Sequence, residues 1–110
     1  LVALQETLKA LSDPIRRQIL VLLREGQLPA GEIAKQLGMS PPATSHHLQK
    51  LKSAGLIFER KEKNFIFYEL NTSFFEELLL WIKQFESTQE ERHEMDDQTV
   101  LDSNLSSPRR

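Results

Sequence analysis

Gly38-Met39-Ser40-Pro41-Pro42-Ala43-Thr44-Ser45-His46-His47-Leu48-Gln49-Lys50-Leu51-Lys52-Ser53-Ala54-Gly55 is a helix that carries its own punctuation. Gly38 is free to take the left-handed conformation that ends a preceding helix. Ser40 then supplies a cap, and Pro41 suits the first helical position because its missing N–H would have no partner there. The helix runs to Ala54, where Gly55 stops it. Thr44, His47, Leu48 and Leu51 recur at helical spacing and make an inward face. Pro42, Ser45, His46, Gln49 and Ser53 repeat that spacing on the other side, so the outer face is polar and low in bulk.

Working upstream, Ile33, Ala34 and Leu37 line one side of a short helix that follows Gln27-Leu28-Pro29 and ends at Gly38. Two helices around a short glycine-containing turn form a helix-turn-helix. Before them, Ser12-Asp13-Pro14 repeats the cap-and-proline start, and Ile15, Ile19, Leu22 and Leu23 give that helix its buried face until Gly26 closes it. Leu1, Leu4, Leu8 and Leu11 form the apolar seam of a first helix. Downstream, Leu56 to Lys61 and Phe65 to Leu70 are rich in aromatic and β-branched residues. They read as a hairpin turning at Glu62-Lys63-Asn64, with Asn64 expected to take a positive φ. A last helix from Asn71 or Thr72 carries Phe74, Leu78, Trp81, Ile82 and Phe85 in one stripe, with Phe75 and Leu79 beside it. The expected fold is mainly α (α+β): a winged helix-turn-helix of five helices, with a two-stranded wing between the fourth and fifth.

A chain of 110 residues has room for one modest core. The expected domain is residues 1–87, followed by an acidic tail at 88–110 with few large apolar side chains, expected to be disordered. The formal net charge is −2, but it is unevenly spread. Residues 1–70 hold ten Lys/Arg against seven Asp/Glu, whereas residues 71–110 hold four against nine. The excess of base therefore falls where a phosphate backbone would want it. The absence of cysteine excludes disulfides, thiolate metal sites and thiol redox switches. No stretch approaches the roughly 18 apolar residues of a membrane span, and no signal-peptide pattern is visible at the start, so the expectation is a cytoplasmic protein without membrane insertion.

The polar face of the Pro41–Ala54 helix has the chemistry to enter a major groove. Gln49 can pair with adenine N6 and N7, Ser45 can contact a base edge or phosphate, and His46 can donate to guanine or phosphate. Backbone N–H groups at Ser40 suit a phosphate. The candidate DNA-binding residues are Ser40, Pro42, Ser45, His46, Gln49 and Lys50, joined by Arg60, Lys61 and Lys63 of the wing. Arg16 and Arg17 oppose the dipole at their helix start, leaving pairing with Asp13 or contact with phosphate as the two readings. Glu90, His93, Glu94 and Asp97 have a spacing that could hold a divalent ion if the last helix continued, but dense acidity throughout that segment favours a solvated helix end.

Ser12-Asp13-Pro14-Ile15-Arg16-Arg17-Gln18-Ile19-Leu20, the run Ser40 to Leu51, Ala54-Gly55-Leu56-Ile57 and Phe67-Tyr68-Glu69-Leu70-Asn71 resemble, in order, the signatures of the ArsR family of winged-helix repressors. The resemblance spans most of residues 4–85. It implies a homodimer occupying a palindromic operator, with Ser45, His46 and their neighbours at the positions that read DNA. It departs at Lys63-Asn64, where the family commonly has glycine. Metal-sensing members are marked by a cysteine motif near residues 29–37 or by Asp and His ligands on the last helix, and neither pattern is present. The chain is most similar to a cysteine-free autorepressor subgroup related to the sporulation-delay repressor.

From these readings the expected partners are an operator in double-stranded DNA and a second copy of the chain, with a sequestering protein as one route of release. No cofactor and no enzymatic activity are expected. Leu4, Leu8 and Leu11, with Phe74, Leu78, Trp81, Ile82 and Phe85, exceed what one small core requires and are the expected dimer interface. A different class of function stays open at this point, in which the winged helix is a protein-interaction module whose outer face meets a protein.

Overall fold

The computed structural model describes residues 4–87. The chain divides into two compact units between Leu79 and Leu80, inside the last helix. In order, the elements are α1 (Leu4–Leu11), α2 (Pro14–Leu22), β1 (Leu28–Pro29), α3 (Ala30–Leu37), α4 (Pro41–Ser53), β2 (Ile57–Glu62), β3 (Phe65–Leu70) and α5 (Thr72–Lys83). A single 3₁₀ turn, Leu23–Glu25, extends α2. The tail from residue 88, including Glu90, His93, Glu94 and Asp97, lies outside the described residues.

The helix boundaries follow the cap chemistry. The Asp13 carboxylate accepts from the backbone N–H of Ile15 at 2.7 Å and of Arg16 at 3.2 Å. Desolvation pushes the Asp13 carboxyl upward, but those two N–H donors and the Arg16 guanidinium outweigh it and hold the group below its ordinary value. The stabilisation linked to this depressed carboxyl is present above the unfolded-state pKa and is lost as pH falls through the folded value. Ser40 Oγ accepts from Ala43 N at 3.2 Å and starts α4. Gly38, at φ +67°, ends α3 in the left-handed region and lets α4 begin three residues later.

In the first unit the helices converge on Ile19, Leu23, Ile33, Leu48, Leu51 and Leu56, all essentially without solvent exposure. Ile57 and Tyr68 add the base of the sheet to that cluster. Here α1 differs from its expected seam. Thr7 and Ala10 are its buried residues, whereas Leu4 and Leu11 are half-buried and Leu8 is exposed. The reason is close approach: Thr7 Oγ1 donates to Ala54 O, a carbonyl at the end of α4, at 3.4 Å, and only small side chains fit such a crossing.

The expected two-stranded wing forms from β2 and β3 between α4 and α5, and an unexpected third strand joins its sheet. The order is β1-β3-β2, all antiparallel, with Leu28 opposite Tyr68 and Pro29 opposite Phe67. In the hairpin Glu62 pairs with Phe65, which leaves Lys63 and Asn64 as the loop. The positive φ, +55°, falls on Lys63 rather than on Asn64. Asn71 then fastens the hairpin to the helices: its side-chain amide donates to Gly55 O at 2.9 Å, and its Oδ1 accepts from Phe74 N at 3.3 Å to cap α5.

Candidate nucleic-acid interface

The two faces of α4 separate as their residue types require. Thr44, Leu48 and Leu51 are buried and His47 is half-buried, while Pro42, Ser45, His46, Gln49, Lys50 and Ser53 are exposed. Burial of one face fixes the rotation of the helix, so the other must meet solvent or a partner. Ser40 is exposed too, with its hydroxyl engaged at the cap, leaving its backbone position as its possible contribution to an anion. Apart from the edge contact between the His46 and His47 rings, Ser45, His46, Gln49 and Lys50 make no side-chain hydrogen bond or ion pair among the described residues. Those groups are open to a ligand.

The basic residues of the wing are not equivalent. Arg60 is tied down by Glu69 at 3.5 Å and Glu62 at 3.8 Å, and it donates to the Gln27 side-chain oxygen. Its charge is largely answered within the sheet. Lys61 and Lys63 have no ion-pair partner among the described residues. Strand alternation puts Phe58, Arg60, Phe65 and Phe67 on one face of the hairpin, and Glu59, Lys61, Ile66 and Tyr68 on the other. Lys61 therefore shares a cleft with Lys52 beside the end of α4. Lys52 itself donates to Glu59 at 2.8 Å, and that hydrogen bond, reinforced by the carboxylate charge, raises its ammonium above the ordinary value.

This contrast yields a prediction. Lys63→Ala should weaken binding to all duplexes alike and lower the salt slope by about one unit per protomer if Lys63 meets a phosphate. Arg60→Ala should change the slope less, because its partners already neutralise it. Fluorescence anisotropy over a range of salt concentrations measures both.

Arg16 and Arg17 are held chiefly by backbone carbonyls. Arg16 Nε donates to Ala10 O at 2.8 Å and Nη2 to Lys9 O at 3.3 Å, while Arg17 Nη1 donates to Leu11 O at 2.8 Å. Both arginines thus satisfy the orphan carbonyls at the end of α1. The Asp13 pairing is present but loose, at 3.9 Å. Arg16 Nη1 also reaches His47 Nδ1 at 3.3 Å, which joins the α1–α2 corner to α4. The sequence signal for this was available: two cations five and six residues beyond a helix end can fold back onto it.

Of the expected dimer residues in the first unit, Leu78 is buried and Phe74 packs over the core against Gly55, while Leu8 is 51% exposed. In the second unit Trp81 and Phe85 form an edge-to-face pair with centroids 5.2 Å apart. Ile82 and Phe85 are 54% and 69% exposed. No helix among the described residues is long and apolar enough to cross a membrane.

Comparison with known proteins places residues 13–58 in a family described as bacterial regulatory protein, arsR family. Over 77 residues the chain is 44% identical to the transcriptional repressor SdpR of Bacillus subtilis, a match covering 70% of this chain and 86% of that one. Over 66 residues it is 39% identical to the transcriptional activator HlyU of Vibrio cholerae, covering 60% of this chain and 61% of the relative. The solution structure of the homodimeric winged helix-turn-helix DNA-binding domain of Mb0332 from Mycobacterium bovis is similar at a TM-score of 0.67 and 26% identity. That match covers 96% of this chain and 88% of the other.

Proposed function

The chain belongs to the ArsR family of bacterial regulatory proteins, and from that premise we propose that it is a cytoplasmic transcriptional repressor which grips a palindromic operator as a homodimer. The observation that carries this reading is the exposed polar face of α4, where Ser45, His46, Gln49 and Lys50 turn away from the core, followed along the chain by Lys61 and Lys63, wing cations with no ion-pair partner among the described residues. Short polar groups read base edges, and the lysines supply the phosphate contacts that hold the helix in register. The kinship with SdpR, a repressor, outweighs that with HlyU, an activator, in both identity and coverage. A gel shift on the gene's own upstream region, repeated at rising salt, tests the reading. Operator affinity should fall steeply with salt and exceed that for random duplex by roughly 10³-fold or more at physiological salt.

Release, on this reading, follows from the repressor's own concentration through autoregulation or from a protein that sequesters the dimer. An effector acts only by binding the two states with different affinity. The chain offers no thiolate, and among the described residues no group of three His, Asp or Glu side chains converges. Titrating zinc, nickel, copper or cobalt into the protein–operator complex, against a chelator control, should leave the affinity unchanged within a few-fold. A reversible tenfold loss would overturn this claim.

One observation favours the protein-interaction alternative. Phe58 and Phe65 lie on the outer face of the wing at 50% and 60% exposure, around an arginine whose charge is already answered. Such a surface suits a protein better than a phosphate. If that alternative holds, the gel shift shows no operator preference and no salt slope.

A further inference from the structure

Beside α4, where the end of α1 meets the start of α2, lies a cleft of about 320 Å³ lined by Glu6, Lys9, Ser12, Arg16, Lys50 and Ser53. Three of these are cations and one is a carboxylate, so the lining is net positive. The hydrogen bonds already made decide which groups are free. Ser12 Oγ donates to Lys9 O at 2.7 Å. Arg16 is fixed by the carbonyls of Lys9 and Ala10 and by His47, with its side chain only 13% exposed. Lys9, Lys50 and Ser53 are exposed, and their side chains make no hydrogen bond or ion pair among the described residues. Two exposed ammonium groups and an exposed hydroxyl therefore line one cleft, with the hydrogen-bonded Arg16 guanidinium in its wall.

We infer that this cleft seats a phosphate of the DNA backbone, an assignment that rests on the DNA-binding reading above. The argument is dimensional. A helix with its side chains is about 10–12 Å across, and the major groove is about 12 Å wide, so a helix lying in the groove fills it. Whatever stands immediately beside the helix meets the sugar-phosphate backbone. On the Lys50 side of α4 that neighbour is the α1–α2 corner, and Ser53 lies one turn beyond Gln49 on the reading face. A phosphate at this place is held by Lys9 and Lys50 with Ser53 donating to an oxygen, while Arg16 adds fixed charge. Glu6 opposes it and sets a limit on affinity for small anions. The contact carries no sequence information and fixes the register of α4 instead.

Lys9→Ala is a clean variant, since the side chain is exposed, its backbone carbonyl keeps its hydrogen bonds, and alanine is the best helix former. Binding of operator and random duplex should weaken by the same factor, with a salt slope about two units shallower in a dimer, one per protomer. Lys9→Arg should restore the slope, and Lys50→Ala should reproduce the loss. Inorganic phosphate at ionic strength matched with chloride tests for a free anion instead. An unchanged slope in Lys9→Ala, beside a wild type with a steep one, would overturn the inference. Preferential displacement of operator by inorganic phosphate in wild type, with the Lys9→Ala slope unchanged, would overturn it too, by showing that the cleft serves a free anion. A wild-type chain that binds no duplex would instead sink the DNA-binding reading beneath it.

Discussion

Replacing Trp81 and Phe85 together with serine is expected to lower operator affinity by about 10²–10⁴-fold while leaving the first unit folded. The core of that unit is built from residues of α1 to α4 and the sheet, with Phe74 and Phe75 packed on it, and it includes neither Trp81 nor Phe85. Trp81 is half-buried and Phe85 69% exposed among the described residues, and burying a phenylalanine fully is worth about 1.5–3 kcal/mol. A second copy is the partner that the proposed function supplies. A dimer carries two copies of α4 to half-sites about 34 Å apart, so the second half-site binds at a high effective concentration. Loss of the dimer removes that advantage without touching any DNA contact. Leu8→Glu, which places charge on the exposed leucine of α1, should act in the same direction. Light scattering at micromolar concentration should find dimeric wild type and monomeric variant, with thermal melts confirming folded protein. A monomeric wild type, or a variant that stays dimeric and binds normally, would defeat the argument.

How far the sequence could be read depended on the range of the interactions involved. The start of α4 was legible because Ser40 and Pro41 act on the backbone within three residues, and the two faces of the helix follow from 3.6 periodicity alone. The third strand was not legible. Leu28–Pro29 is two residues long, too short to show alternation, and its pairing with Phe67 and Tyr68 is set from across the fold. The turn failed for a related reason. Which residue takes φ > 0 is dictated by the Glu62–Phe65 register, and that placed Lys63 at the position despite the greater tolerance of asparagine. The leucine period of α1 was real, but close contact with the end of α4 selects the small residues Thr7 and Ala10 as the inner side. Charge was the hardest to read. Arg60 and Lys63 look alike in the sequence, yet one is answered by Glu69, Glu62 and Gln27 and the other has no ion-pair partner among the described residues.

Alanine at Ser45, His46 or Gln49 should reduce discrimination between operator and random duplex by about 1–3 kcal/mol for each residue that makes a good base contact, or roughly 5- to 160-fold. The three side chains project from one exposed stretch of a helix whose opposite face is locked by Thr44, Leu48 and Leu51, so truncating them leaves the buried contacts of α4 intact. Their loss therefore falls on binding rather than folding. Gln49 should contribute most, since a bidentate amide–adenine pair has no substitute once the amide is gone. Ser45 and His46 each offer a single contact and belong at the lower end of the range. The signature is a ratio: affinity for the operator drops while affinity for random sequence and its salt slope hold, the converse of what Lys9 or Lys63 should show. Competition binding with operator and scrambled duplexes at one salt concentration measures it directly. If all three variants lose equally on both duplexes, the outer face of α4 touches only the backbone, and sequence must be read elsewhere on the protein.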